Sequence, residues 1–143
     1  MKITWDEEQS RLEAQGFASL CGITLETLTD GYCRLGCQME EHHLNPGGIA
    51  HGGAIFAMMD TAAGTAGLTL CSKDQGVVTQ CADVHFLRPV GLGYVYTEAK
   101  VLKAGRKTAL VTADVLDENQ VLHAHGEFEL FFIPEPSQGR QTE

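Results

Sequence analysis

The sequence predicts an α+β fold in which a curved, mostly antiparallel sheet wraps one long central helix. Three observations carry this expectation. The stretch from Gly52 to Leu70 is apolar on nearly every side and rich in small residues. After it come four strand-like runs joined by short turns, and before it two more runs flank an Asp30-Gly31 pair. A helix without a polar face belongs in an interior, and hairpins on either side of it in the chain supply a sheet to cover it.

The elements follow in order. Thr4 to Leu20 reads as one helix: Thr4 caps it, Glu7 and Glu8 suit the positive end of the dipole, and Leu12, Phe17 and Leu20 share an apolar side. Gly22 ends it. Ile23 to Leu28 and Tyr32 to Met39 form a hairpin about Asp30-Gly31. A polar loop leads through Pro46 to Gly47-Gly48. In the central helix Gly64 and Gly67 each weaken helix propensity by ~1 kcal/mol, so packing must hold it. The remaining strands are Val77 to Leu87, ended by Arg88-Pro89, then Tyr94 to Leu102, Thr108 to Leu116 and Val121 to Ile133. Residues 1–133 read as one domain. Residues 134–143 are polar and Pro-containing and read as a flexible tail.

Composition narrows the function. The chain has 143 residues, one domain's worth, and 43% of them are hydrophobic. That suffices for a core without disulfide or metal staples and excludes a disordered chain. Asp60, inside the most apolar stretch, argues against a membrane span. The net charge is −9, from 19 acidic and 10 basic residues. Such a surface repels phosphate backbones, so nucleic acid is not the expected partner. Five cysteines and a polar start predict a cytoplasmic location with free thiols. Cys33 and Cys37 lack a second pair at zinc-site spacing, and no metal is expected. His123 and His125 share a strand face with Glu127 and Glu129, which reads as an exposed or subunit-facing side.

The informative stretch runs from Asn45 through His51-Gly52-Gly53 to Asp60. Two glycines open a helix, whose first backbone N–H groups are unpaired and carry partial positive charge. Glycine leaves that backbone open to a ligand. This suits an oxygen gaining negative charge, such as a carbonyl becoming tetrahedral. Asn45 can add an amide donor, or serve only as an Asx turn before Pro46. Asp60 sits in an apolar helix, where a carboxylate is costly unless paired; it reads as a base, or as a structural acid. Eight residues of helix span roughly 12 Å, too far for Gly52 and Asp60 of one chain to serve one reacting carbon. If both are catalytic, Gly52 of one subunit works with Asp60 of another, and the protein is a dimer with two equivalent sites.

His51-Gly52-Gly53, then Asp60, preceded by Asn45, resembles the hot-dog-fold acyl-CoA thioesterases, in particular the PaaI-like phenylacetate-degradation branch. The likeness covers about residues 15 to 133. It implies hydrolysis of a small, medium or aromatic acyl-CoA, with coenzyme A as part of the substrate and no separate cofactor. It further implies that Gly52 and Asn45 polarise the thioester carbonyl. Asp60 of the partner chain then acts as base or nucleophile, Thr79 assists the acid, and His51 supports the loop and helix start. Homodimers, commonly paired as dimers of dimers, go with the family.

Lys100, Lys103, Arg106 and Lys107 concentrate four of the ten basic residues on one strand–turn–strand. With Arg88 they are candidates to dock the phosphates of coenzyme A. The same charges also suit a solvated hairpin tip. Two other functions compete. A hot-dog dehydratase or hydratase would need His51 and an acid to converge on the substrate. A non-catalytic acyl-CoA-binding protein would not need Asp60 at all.

Overall fold

In the computed structural model, which describes residues 1–14 and 16–135, small residues decide how the layers meet. Helix α3 (Gly52–Leu68) lies across a six-stranded sheet built from β1 (Ile23–Thr29), β2 (Tyr32–Met39), β3 (Gln75–Phe86), β4 (Gly93–Ala104), β5 (Thr108–Asp117) and β6 (Leu122–Pro134). The strand order is β1-β2-β4-β5-β6-β3 and every pairing is antiparallel. Met58, Met59, Ala62, Ala63 and Ala66 of α3 are buried with Leu35, Val111, Val115, Phe128 and Leu130 of the sheet. Each large side chain so buried contributes about 1.5–3 kcal/mol, which offsets the poor propensity of Gly64 and Gly67.

Two glycines show what the closeness requires. A Cβ at Gly126 of β6 would stand 3.0 Å from Met59 Cε and 3.1 Å from the Asp83 carbonyl. A Cβ at Gly67 would overlap Leu130 Cδ1. Helix α3 stops at Leu68, two residues before the sequence expectation, because Thr69 caps it. The Thr69 hydroxyl donates to Ala66 O and accepts from Gly31 N–H, which ties the helix end to the β1–β2 turn.

The N-terminal segment departs from the single helix expected. It forms α1 (Trp5–Glu13) and α2 (Phe17–Cys21). Thr4 and Glu7 close a capping box at the start of α1, and the chain turns extended at Ala14. The apolar side expected to run through Leu12, Phe17 and Leu20 is broken: Leu12 is buried, whereas Phe17 is 65% and Leu20 74% exposed. With nothing to bury its second half and Gly16 adding backbone freedom, one continuous helix has no advantage. Gly22 ends α2 with φ 71°, as its position predicts.

The five cysteines are free thiols. Cys33 and Cys37 are buried in β2, and burial pushes the Cys37 thiol up to about 11. They lie four residues apart on one strand, about 13 Å at 3.3 Å per residue, which is far for one shared ion. Pro134 still belongs to β6, paired with Gln75; residues 136–143 of the expected tail lie outside the described residues. Among the described residues no helix is long and apolar enough to cross a membrane.

Candidate active site

The start of α3 is prepared by histidines. The His51 Nδ1 accepts from Gly53 N–H at 2.8 Å and caps the helix. The His51 carbonyl takes the N–H groups of Ala54 and Ile55. Among the described residues Gly52 N–H has no acceptor, so one amide is left pointing out of the positive helix end. Gly53, expected to touch substrate, spends its N–H on the cap. Buried His43 steadies this corner: its Nδ1 accepts from Glu40 N–H at 2.9 Å, its Nε2 donates to Cys21 O at 2.7 Å, and its carbonyl accepts from His51 N–H at 2.8 Å.

Asn45 faces the same cleft as Gly52, a hollow of about 440 Å³ shared with Phe86 and Arg88. Its side-chain Oδ1 accepts from Gly47 N–H at 2.9 Å. The Asx turn is therefore real, and it occupies the oxygen of the amide and leaves its nitrogen, the donor end, outside the turn. Phe86, 56% exposed, lies over Gly52, with ring carbons 3.5 Å from where a Cβ would stand. Arg88 donates to Leu122 O at 2.7 Å, which fixes it at the cleft wall.

Asp60 lies elsewhere. It lines a separate, larger cleft of about 1160 Å³ between α3, β3 and α1. It is half-buried, not fully buried as an acid in an apolar helix was expected to be. The reason is β3, an edge strand that leaves this face of α3 open on one side. The Thr79 hydroxyl donates to Asp60 Oδ1 at 2.6 Å. Thr79 sits at a β-bulge, where the β3–β6 register slips between Thr79 and Cys81. A bulge bends the strand and re-aims its side chains. Within one chain, then, Asn45 and Gly52 form one half of a site and Asp60 with Thr79 another.

The basic hairpin does not meet Arg88. Lys103, Arg106 and Lys107 are exposed at the β4–β5 tip, next to Phe131 of β6, whereas the Arg88 partner Leu122 opens β6 at the other end of the sheet. Nine residues of strand separate those ends, roughly 30 Å. One ligand on one chain cannot reach both.

A family model described as the thioesterase superfamily matches residues 47–124, which contain Gly52, Asp60 and Thr79. The chain belongs to the thioesterase superfamily. It is a thioester hydrolase with the hot-dog fold. A Saccharolobus solfataricus protein named provisionally as an esterase is 31% identical over 122 residues, covering 85% of this chain and 81% of that one. The acyl-coenzyme A thioesterase PaaI of Escherichia coli is 25% identical over 119 residues, covering 81% of each. In fold, a thioesterase structure from Haemophilus influenzae matches with a TM-score of 0.86 at 22% identity, covering 96% of each chain.

Sequence reasoning missed three parts of this thioesterase site. The aromatic lid Phe86 and the tether His43 left no pattern to read. Glu8 did leave one. It is four residues before buried Leu12, hence on the same side of α1, and that side faces the Asp60 cleft. Glu8 is 3% exposed and accepts from Thr65 Oγ1 at 2.7 Å. A charged residue on the buried side of an amphipathic helix was the available signal.

Proposed function

We propose that this thioesterase hydrolyses acyl-CoA in a site assembled from two copies of the chain. The observation that carries the reading is the separation of the half-sites: the free Gly52 amide opens into one cleft and the Asp60–Thr79 pair into another. Edge strand β3 is the element able to unite them. It links both halves, since Thr79 bonds Asp60 and Phe86 covers Gly52. Among the described residues its outer edge has no partner strand. Antiparallel pairing of two β3 edges about an axis near Ala82 and Asp83 sets Phe86 of one copy opposite Thr79 of the other. That pairing also removes an exposed edge, which is an aggregation hazard when left bare, and yields two equivalent sites.

The chemistry follows from the groups. Gly52 N–H, with the Asn45 amide, receives the thioester carbonyl oxygen and stabilises the charge it gains on becoming tetrahedral. Thr79 occupies Oδ1 of Asp60, leaving Oδ2 to take a proton from the water that attacks the carbonyl carbon, or to bond that carbon itself and form an anhydride that water then hydrolyses to the acid. The intermediate collapses by breaking the C–S bond; a thiolate leaves without strong acid help. His51 spends Nδ1 on the helix cap, which favours hydrolysis over a dehydration that needs its ring. The free thiols and the shared acyl-CoA chemistry support a cytoplasmic setting.

Thiol release from a panel of acyl-CoAs tests this. Asp60→Asn is expected to lower kcat by about 100-fold or more, with the dimer mass unchanged by sedimentation. Equal turnover by both proteins removes Asp60 from the mechanism. Binding without turnover by the wild type favours a non-catalytic acyl-CoA-binding role.

A further inference from the structure

The cleft that holds Asp60 continues well past the reacting groups, and its far wall is α1. Asp60, Gly64 and Leu68 stand four residues apart on one face of α3, about 6 Å per step. Val77 and Thr79 of β3 form the opposite side, and Ile3 and Leu12 close the end. Ile3, Leu12 and Leu68 are 6%, 5% and 7% exposed, so the deep part is lined by core residues. At about 1160 Å³ the cleft is larger than an acetyl group can use, and it somewhat exceeds the usual size of small-molecule sites, about 300–1,000 Å³. Gly64 opens the helix surface to it: a Cβ there would find only Val77 Cγ2, at 4.0 Å.

α1 is strapped across this cleft by specific bonds. Thr65 on α3 donates to Glu8 at 2.7 Å, and Arg11 meets Glu8 at 3.1 Å. Lys2 N–H donates to Thr69 O at 3.2 Å, and Lys2 Nζ reaches the Gln75 carbonyl and, at 3.2 Å, Glu135. The strap thus grips both α3 and the start of β3. Among the described residues both cations on the rim, Lys2 and Arg11, are paired with carboxylates, which suits an uncharged acyl group better than one ending in a carboxylate. The family match begins at residue 47, so α1 lies outside the residues that match covers.

We propose that α1 is the specificity wall of this thioesterase: the acyl group lies along the Asp60–Gly64–Leu68 face, and α1 sets the size of uncharged acyl group accepted. The proposal rests on the acyl-CoA reading above. It is tested with the full chain by measuring kcat/KM for acetyl-, octanoyl- and dodecanoyl-CoA. Gly64→Leu fills the channel and lowers the octanoyl-to-acetyl ratio by about tenfold or more. Leu12→Ala shortens the wall and raises the dodecanoyl-to-octanoyl ratio several-fold. Opposite shifts in selectivity do not arise from general destabilisation. Should Gly64→Leu fail to fold, Gly64→Ala, whose Cβ has room, gives a smaller fall in the same ratio. If the wild type hydrolyses the panel but either ratio fails to move in its stated direction, α1 is not the wall and the thioesterase reading stands. If the wild type hydrolyses none of the three, this proposal falls, and the wider panel above decides the acyl-CoA reading separately.

Discussion

The two ends of the catalytic face of α3 are built from different materials. At Gly52 the working group is backbone: an amide freed by the helix start, framed by the His51 cap and overlaid by Phe86. At Asp60 the working group is a side chain, oriented by Thr79 and walled by α1. The first end depends chiefly on keeping one N–H in place, with the Asn45 amide beside it. The second depends on the identity of each residue. One helix can therefore carry both an oxyanion donor and an acid, but about two turns of rise keep them from meeting within a chain.

The strongest way to break this comparison is to remove the backbone donor without touching a side chain. Gly52 is the first helical residue, where proline is well accepted. His51 before it has φ −58° and ψ 136°, a conformation compatible with a following proline. Gly52→Pro is expected to fold and to lower kcat by about 100-fold or more. Mixing it with Asp60→Asn under exchange conditions sharpens the test. If sites are shared, half of the dimers are mixed and each has one intact site, so about a quarter of wild-type activity returns. No recovery places both groups in one chain's own site.

Thr79→Val probes the other end at nearly constant shape. It removes the donor to Asp60 Oδ1, a hydrogen bond to a charged group. The expected result is a fall in kcat of about tenfold with KM little changed. Steady-state kinetics on one acyl-CoA decides it; an unchanged kcat leaves Thr79 as a strand residue only.

These two ends also differ in how far the sequence disclosed them. The Gly52 end was legible because its chemistry is local: a cap, two glycines and a helix start are neighbours in the chain. The fold was legible for a similar reason, since the small-residue helix and the alternating strands each show their period. The Asp60 end was legible only as a lone acid with one aligned threonine. Its wall comes from residues some fifty positions earlier, and the Glu8–Thr65 bond spans 57 residues. The break between α1 and α2 was hidden because Phe17 and Leu20 look like core residues yet find nothing to cover them among the described residues. The lack of contact between Arg88 and the Lys103–Lys107 tip follows from strand direction, which their charge did not reveal.

The smallest expected effect lies behind the Gly52 cleft. Asp117 closes the β5–β6 turn: its Oδ1 accepts from Asn119 N–H at 2.8 Å and Val121 N–H at 3.1 Å, and its Oδ2 meets His123 Nε2 at 2.9 Å. The other nitrogen of His123 faces Pro89 O at 3.0 Å, so Asp117 holds the histidine that holds the Arg88-Pro89 corner. The His123 bond, then the Val121 N–H, keep the Asp117 carboxyl below its ordinary range. Folded, this group therefore binds protons less readily than unfolded. Its stabilisation is present above about pH 4 and is lost as pH falls through the lowered value. Because the pair is only partly buried, Asp117→Asn should lower Tm by only a few degrees at neutral pH. The gap to wild type should narrow in acid, as wild type loses the same interaction. KM should rise slightly as the corner loosens, with kcat unchanged, since Asp117 touches neither half-site. A gap in Tm that stays constant down to pH 3 would show that the Asp117 charge does not hold this wall of the cleft.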